Sequence, residues 1–365
     1  FYMIPKILVI GSTGKLGSKL LKFTFKNNIK IDSICCYKNK KKLFLQSKFF
    51  NIKNKFILSD LNDKKKFFEY IKIKKINIVY FLDFGSQSIK YLIHFLNYQS
   101  KSLIAVANKE LIITGGKILM TTISKKKCTF IPLDSEHFSL FNLKLDDSQI
   151  KKISITASGG PFYFNKNLNL RNISFSKVLS HPKWSMGKNN LIDSSNFINK
   201  VLEIFELSYI YNININKIDF VVSPEAFIHS IVQFNDHTMT FNCFNNDMLI
   251  TLIKPLSFYY DFDYKNESKL LYNHNSYYFE KFSDNRFEII KKFKKILNFS
   301  HFEVMQFMLL NNLAQKKYLS GKISYLDIVP YIFKRIEFGR KKYKLDNLNN
   351  IDKTLDFLIS KYEKF

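Results

Sequence analysis

Along the first third of the chain, short apolar runs rich in β-branched residues alternate with stretches whose apolar positions recur at helical spacing. Lys6 to Ile10, Ile29 to Cys36, Ile76 to Leu82 and Ser102 to Ala107 read as strands, and a helix is expected from Leu16. Strands apolar on both faces and separated by helices predict a parallel, doubly wound sheet. From about Asp134 the pattern changes. Extended segments (Lys152 to Ala157, Lys217 to Val222, Ser230 to Phe234, Thr238 to Phe244) surround one helix, Asp193 to Tyr211, which predicts a mixed α+β region. The polar, Tyr- and Asn-rich stretch Asp261 to Ser283 reads as a linker. Beyond it, Phe287 to Leu297, Phe302 to Ser320 and Ile351 to Lys361 have helical periodicity. The expected class is α/β, with a doubly wound N-terminal domain over 1–133, a central α+β domain over 134–260, a linker over 261–283 and a small helical bundle over 284–365.

Composition narrows this picture. With 46% hydrophobic residues, including 38 Phe and 20 Tyr in 365 positions, the chain is not disordered as a whole. No apolar run of about 18 residues escapes a charge, so no membrane partner is expected. The net charge of +27 raises nucleic acid as a partner. It is spread in small clusters (Lys40 to Lys42, Lys64 to Lys66, Lys125 to Lys127, Lys341 to Lys344), without a basic arm or zinc-finger spacing, so none is expected. The positive field instead suits a small anionic substrate, such as a phosphate ester. Cys35, Cys36, Cys128 and Cys243 form no C-x-x-C pair, and a reducing interior fits them, a bacterial-type cytoplasm first and a plastid stroma as well. The first residues, Phe1 to Lys6, run into a strand and read as neither a secretory nor a transit segment. Position 1 is not Met, so removal of an earlier leader stays open.

Several strings carry chemistry. Gly11-Ser12-Thr13-Gly14-Lys15-Leu16-Gly17 follows a strand and opens a helix, the context of a Rossmann-like dinucleotide site. The spacing is G-x-x-G-x-x-G, and no Gly-Lys-Ser/Thr ending makes it a P-loop. After the second strand, Tyr37-Lys38-Asn39-Lys40 places cations where an acid would bind a ribose diol, which favours NADP over NAD; the rival Asp32 lies at the strand's start. Asp134 and Glu136 stand at i and i+2, and on extended backbone both carboxylates share a face, half of a hard-cation site. Such pairs are also common on plain surfaces. Asn199, Glu203 and Glu206 at i, i+4 and i+7, with Lys200 alongside, are either an active edge or ordinary Lys–Glu pairing on a surface helix. Ser194-Ser195 just before them puts hydroxyls near a helix start, where anions bind. Thr156 to Pro161 is a small-residue turn that suits an anion, and His181 to Gly187, with the only Trp, reads as a lid or as a loop anchored by its indole.

Together these strings resemble the 1-deoxy-D-xylulose 5-phosphate reductoisomerase family. The matches are Gly11 to Gly17, Ala107-Asn108-Lys109-Glu110, Pro132 to His137, Ser158 to Phe162, His181 to Lys188, and Asp193-Ser194 with Asn199-Lys200 and Glu203, in family order over about the first 235 residues. The resemblance implies an NADPH-binding N-terminal domain, a catalytic, metal-binding and dimerising central domain, and a C-terminal bundle. It implies that Asp134, Glu136 and Glu203 bind Mg²⁺ or Mn²⁺ and, with Lys109, are the catalytic residues. Ser158, Ser194, Asn199 and Lys200 would hold the substrate phosphate with His181 nearby. Ser135 and Lys109 would approach the carbonyl and hydroxyl end of the sugar, Glu136 and Glu203 would also touch the substrate, and Trp184 and Met186 would belong to a flap. Gly11, Thr13, Gly14, Lys15, Leu16, Gly17, Tyr37, Lys38, Asn39, Asn108, Glu110 and Gly187 would line the cofactor. The implied reaction is metal-assisted rearrangement, by retro-aldol cleavage and re-addition, then hydride reduction to 2-C-methyl-D-erythritol 4-phosphate, with a phosphorylated sugar as ligand and a homodimer as assembly.

Departures from the family pattern are Asp83-Phe84-Gly85-Ser86 near the nicotinamide turn, Ser223-Pro224-Glu225-Ala226, Leu249 after Asp247-Met248, and an Asn-rich helix reduced to Asn311-Asn312. They leave the metal and phosphate groups in place, so an active enzyme is expected, if a slower one. Two competing readings are another NADP-dependent dehydrogenase of similar fold, with no need of the acidic trio, and a degenerate protein holding nucleic acid on its positive surface.

Overall fold

The computed structural model describes residues 4–180, 187–262, 276–339 and 343–364. Strands and helices alternate from the start: β1 (Ile7–Ile10), α1 (Lys15–Lys26), β2 (Ser33–Cys36), α2 (Lys40–Phe49), β3 (Asn54–Ile57), α3 (Leu61–Ile73), β4 (Ile78–Phe81) and α4 (Ser88–Tyr98). There follow β5 (Leu103–Val106), α5 (Lys109–Lys125), β6 (Thr129–Pro132), the single turn α6 (Ser135–Phe138), β7 (Ile150–Ala157), α7 (Phe175–Val178), α8 (Lys188–Ser195) and α9 (Ile198–Tyr211). The remainder comprises β8 (Ile218–Val222), β9 (Ile228–Phe234), β10 (Met239–Cys243), α10 (Met248–Ile253), β11 (Glu280–Lys281), α11 (Glu288–Ile296), α12 (His301–Leu319), α13 (Ile328–Phe333) and α14 (Leu348–Tyr362). Packing divides the described residues into two units, those of 1–141 with 245–270 and those of 142–244 with 271–365.

The first unit is the expected doubly wound α/β layer. Its six strands run in the order β3-β2-β1-β4-β5-β6, and every pairing is parallel. Every residue of β1, β2, β4 and β5 is buried, which is why these strands read as unbroken apolar runs. Strand order reverses between β1 and β4, the position at which open α/β sheets generally bind ligands, beyond the strands' carboxyl ends. β3, which has no counterpart in the sequence expectation, is a half-buried edge strand, Asn-Lys-Phe-Ile, whose lysine breaks the apolar run and guards the edge.

The boundary expected at residue 133 moves. α6 continues directly from β6 and packs on α10, and α10 also packs on α1. Tyr80 Oη donates to the Leu252 carbonyl at 2.9 Å, and Lys19 pairs with Asp247. The stretch 245–262 therefore belongs to the first unit, not to a central domain ending at 260.

In the second unit the sheet order is β10-β9-β7-β8-β11, with β7 and β8 parallel and the other pairs antiparallel. α9 covers β7 and β8. Three expectations are corrected here. The helix expected over 193–211 is two helices, because Phe197 takes a left-handed φ of +66° and ends the run. Its ring stacks on Phe282 at 4.0 Å, and that packing outweighs the local strain. The linker expected over 261–283 is structured at its described end. Glu280 pairs with Val222 in β11, and Phe282 is buried against Phe197, Phe220 and Phe287. Finally, the C-terminal helices form as expected, but they share a unit with the mixed sheet, and α13 joins them despite its internal Pro330. Among the described residues no helix is long and apolar enough to cross a membrane.

Candidate functional site

In the first unit, backbone constraints shape the turn after β1. Gly11 has φ +84°, and a Cβ there would lie 2.4 Å from the Asp83 amide nitrogen; a Cβ on Gly17 would lie 2.6 Å from the Gly11 carbonyl oxygen. Only glycine lets the turn after β1 pass this close to β4 and α1. α1 begins at Gly14 with no side-chain cap and no acidic residue in its first turn, so its end is complementary to an anion. Thr13 and Leu16 are half-buried there and Lys15 is exposed. After β2, Tyr37, Lys38 and Asn39 are exposed, and Asn39 caps α2 by accepting from Lys42 N at 3.1 Å. Asp32 precedes β2 and receives the Tyr70 hydroxyl, away from the strand's carboxyl end.

Asn108 is 1% exposed and joins three parts of this rim. Its Oδ1 accepts from Leu111 N at 3.0 Å, capping α5, while Nδ2 donates to the Gly85 carbonyl at 3.1 Å and to Asp83 Oδ1 at 3.4 Å. Ser88 also donates to the Asp83 carboxylate. Burial nonetheless pushes Asp83 up to about 6, against the pull of those two bonds. Glu110, next along α5, is buried.

At the end of β6 the acidic pair forms, although not on extended backbone. Only Asp134 is extended; Ser135 to Phe138 make one helical turn that Asp134 caps, its Oδ1 accepting from Glu136 N at 3.3 Å. That local bond folds Glu136 back, so an oxygen of each carboxylate still lies within 4.8 Å of the other. Lys109 Nζ stands 3.6 Å from Asp134 Oδ2, and His137 Nδ1, fully buried, 3.2 Å from Oδ1. Ser135 donates to Glu136 Oε2. Two carboxylates offering oxygen donors only, with the Lys109 ammonium beside Asp134, fit a hard divalent ion. His137 was not singled out in the sequence; its i+3 position from a capping Asp was the available signal.

A cradle forms in the second unit around the start of α9. Glu203 is 1% exposed, accepts from Lys200 Nζ at 2.7 Å and from Asn199 Nδ2, and is followed by an equally buried Glu206. Plain surface pairing is thereby excluded for this stripe, since surface pairs stay solvated. Ser194 and Ser195 close α8 instead of opening α9: Ser195 is buried and donates to the Ile192 carbonyl, and Ser194 is half-buried. The Ser158-Gly159-Gly160 turn meets them, for a Cβ on Gly160 would lie 2.9 Å from the Ser194 carbonyl oxygen. Gly187, exposed, starts α8. His181, Trp184 and Met186 lie outside the described residues.

Comparison with known proteins identifies the family and the fold. The family model described as 1-deoxy-D-xylulose 5-phosphate reductoisomerase C-terminal domain matches residues 130–211. A 1-deoxy-D-xylulose 5-phosphate reductoisomerase of Pelagibacter ubique is 33% identical, over 97% of this chain and 98% of its own length. One of Clostridium novyi is 29% identical, over 98% of this chain and 100% of its own. In fold, the chain is similar to the Zymomonas mobilis reductoisomerase solved in complex with NADPH, with a TM-score of 0.81, 22% identity and full coverage of both chains. It is likewise similar to a reductoisomerase solved with NADPH, fosmidomycin and magnesium, at 0.80, 21% and 98% of each. With a third of its residues shared along nearly its whole length, the chain belongs to the 1-deoxy-D-xylulose 5-phosphate reductoisomerase family.

Proposed function

We propose that this chain converts 1-deoxy-D-xylulose 5-phosphate to 2-C-methyl-D-erythritol 4-phosphate with NADPH and Mg²⁺ or Mn²⁺, as a homodimer in a reducing cytoplasm. The observation that carries the reading is the buried Glu203, bonded by Asn199 and Lys200 on one edge of α9, the residues to which the family resemblance assigns metal and phosphate binding. Asp134, Glu136 and Glu203 would hold the cation. When bound, the metal supplies Lewis-acid polarisation of the substrate's oxygens, and NADPH supplies the hydride. The chain's own groups do the positioning. Lys109, beside Asp134, and Ser135 face the carbonyl and hydroxyl end. Ser158, Ser194, Asn199 and Lys200, with His181, grip the phosphate, so that binding energy remote from the reacting carbons orients them. A flap role for Trp184 and Met186 rests on the family resemblance alone. Gly11, Thr13, Gly14, Lys15, Leu16 and Gly17 receive the pyrophosphate, Tyr37, Lys38 and Asn39 the 2′-phosphate side, and Asn108, Glu110 and Gly187 the remaining rim.

NADPH oxidation assayed with deoxyxylulose phosphate tests this directly. Chelation of divalent metal should abolish turnover, and Glu203→Gln should lower kcat by about a hundredfold or more while NADPH affinity stays within twofold. Metal-independent turnover would overturn the reading.

A further inference from the structure

α12 buries three side-chain amides, Gln306, Asn311 and Gln315, in an otherwise apolar packed face. A buried amide is costly unless its polar atoms are bonded. Gln306 is satisfied within the C-terminal helices, donating to the Glu337 carbonyl at 3.1 Å and accepting from Glu337 N and the Tyr362 hydroxyl. The other two, one helical turn apart, aim at α8. Asn311 Nδ2 donates to Asp193 Oδ1 at 2.9 Å; Gln315 Nε2 donates to the same oxygen at 2.5 Å and to the Asn189 carbonyl at 3.3 Å. Their own oxygens, Asn311 Oδ1 and Gln315 Oε1, are buried without a partner among the described residues. Packing alone would select an apolar side chain at both places, so the donors are what these positions supply.

Those donors end one residue from the phosphate cradle. Asp193 is 7% exposed, and Ser194 beside it lies against the Gly159–Gly160 turn. On the far side, the Tyr325 hydroxyl donates to the Ser195 carbonyl at 2.9 Å. Ser194 is thus the half-exposed residue between two buried, hydrogen-bonded neighbours, and only the Asp193 side is held by a charge.

We propose that Asn311 and Gln315 are positioning residues for the phosphate subsite: by fixing Asp193 they set how Ser194 presents its hydroxyl and amide to the phosphate. This rests on the assignment of Ser194 to that subsite. The test compares Gln315→Glu, which sets a second carboxylate against Asp193, with the double variant Gln315→Glu/Asp193→Asn, which exchanges donor and acceptor. Inorganic phosphate affinity of the folded protein is titrated, and KM is measured for both substrates. Gln315→Glu should weaken phosphate binding and raise KM for the sugar phosphate by about fivefold or more, with KM for NADPH within twofold, and the double variant should recover at least half of the loss. If Gln315→Glu does not fold, Gln315→Met, which removes the donor to Asp193, is measured alone against the same thresholds for phosphate affinity and the two KM values. A smaller change in phosphate affinity, or equal rises in both KM values, overturns the inference. A wild-type chain that binds phosphate and responds this way, yet shows no deoxyxylulose phosphate turnover, overturns the functional reading alone.

Discussion

Asp83 is a carboxyl whose burial changes its chemistry. It sits where the turn after β1 presses closest on β4, and burial holds its carboxyl protonated up to about pH 6. A raised carboxyl contributes stability that is full below its unfolded value of 3.8 and is lost as pH climbs through about 6. Asp83→Asn keeps an acceptor for Ser88 and Asn108 but carries no charge. Thermal melts at about pH 4 and about pH 7.5 should therefore show the variant gaining on the wild type as pH rises; parallel curves at both values would contradict it. Asp83 could be read from the sequence as an oddity in its turn, but its bonds to Ser88 and Asn108 could not, because Asn108 arrives from another strand's end.

At the scale of elements, the glycine turn decides whether β1 and α1 can meet. Gly17→Ala would press a methyl against backbone atoms at 2.6 Å, contacts that no side-chain rotation relieves. A loss of about 1–3 kcal/mol in unfolding free energy is expected, together with a raised KM for NADPH and an unchanged KM for the sugar phosphate; steady-state kinetics and denaturant melts check both. The elements legible in the sequence were those whose pattern follows burial: β1, β2, β4 and β5 as apolar runs, and α11, α12 and α14 by periodicity. Short edge strands with polar members, β3 and β11, left no such trace. The break between α8 and α9 was hidden too, since Asn196-Phe197 contains neither Gly nor Pro and the left-handed turn is imposed by aromatic packing from β11's end of the chain. The acidic and phosphate-type residues stood out in short strings, whereas the clamp on Asp193 joins positions 118 residues apart.

For the molecule as a whole, the excess of 57 basic over 30 acidic residues makes a field that favours dianionic ligands. Raising salt from about 20 mM to about 300 mM shortens the Debye length to well under 10 Å, so KM for the sugar phosphate should rise several-fold with kcat steady. A KM indifferent to salt would show that the distant lysines contribute nothing. The route of the chain has a further consequence. Tyr80, at the centre of the parallel sheet, receives its acceptor from Leu252, which is synthesised after β7 to β10. On the ribosome the earlier half must wait for α10 while strands of the later half are already free to pair, so maturation is interleaved instead of sequential. No single cut in the gene yields the first half whole, because a fragment stopping at residue 141 strands a phenol in the core with its partner missing.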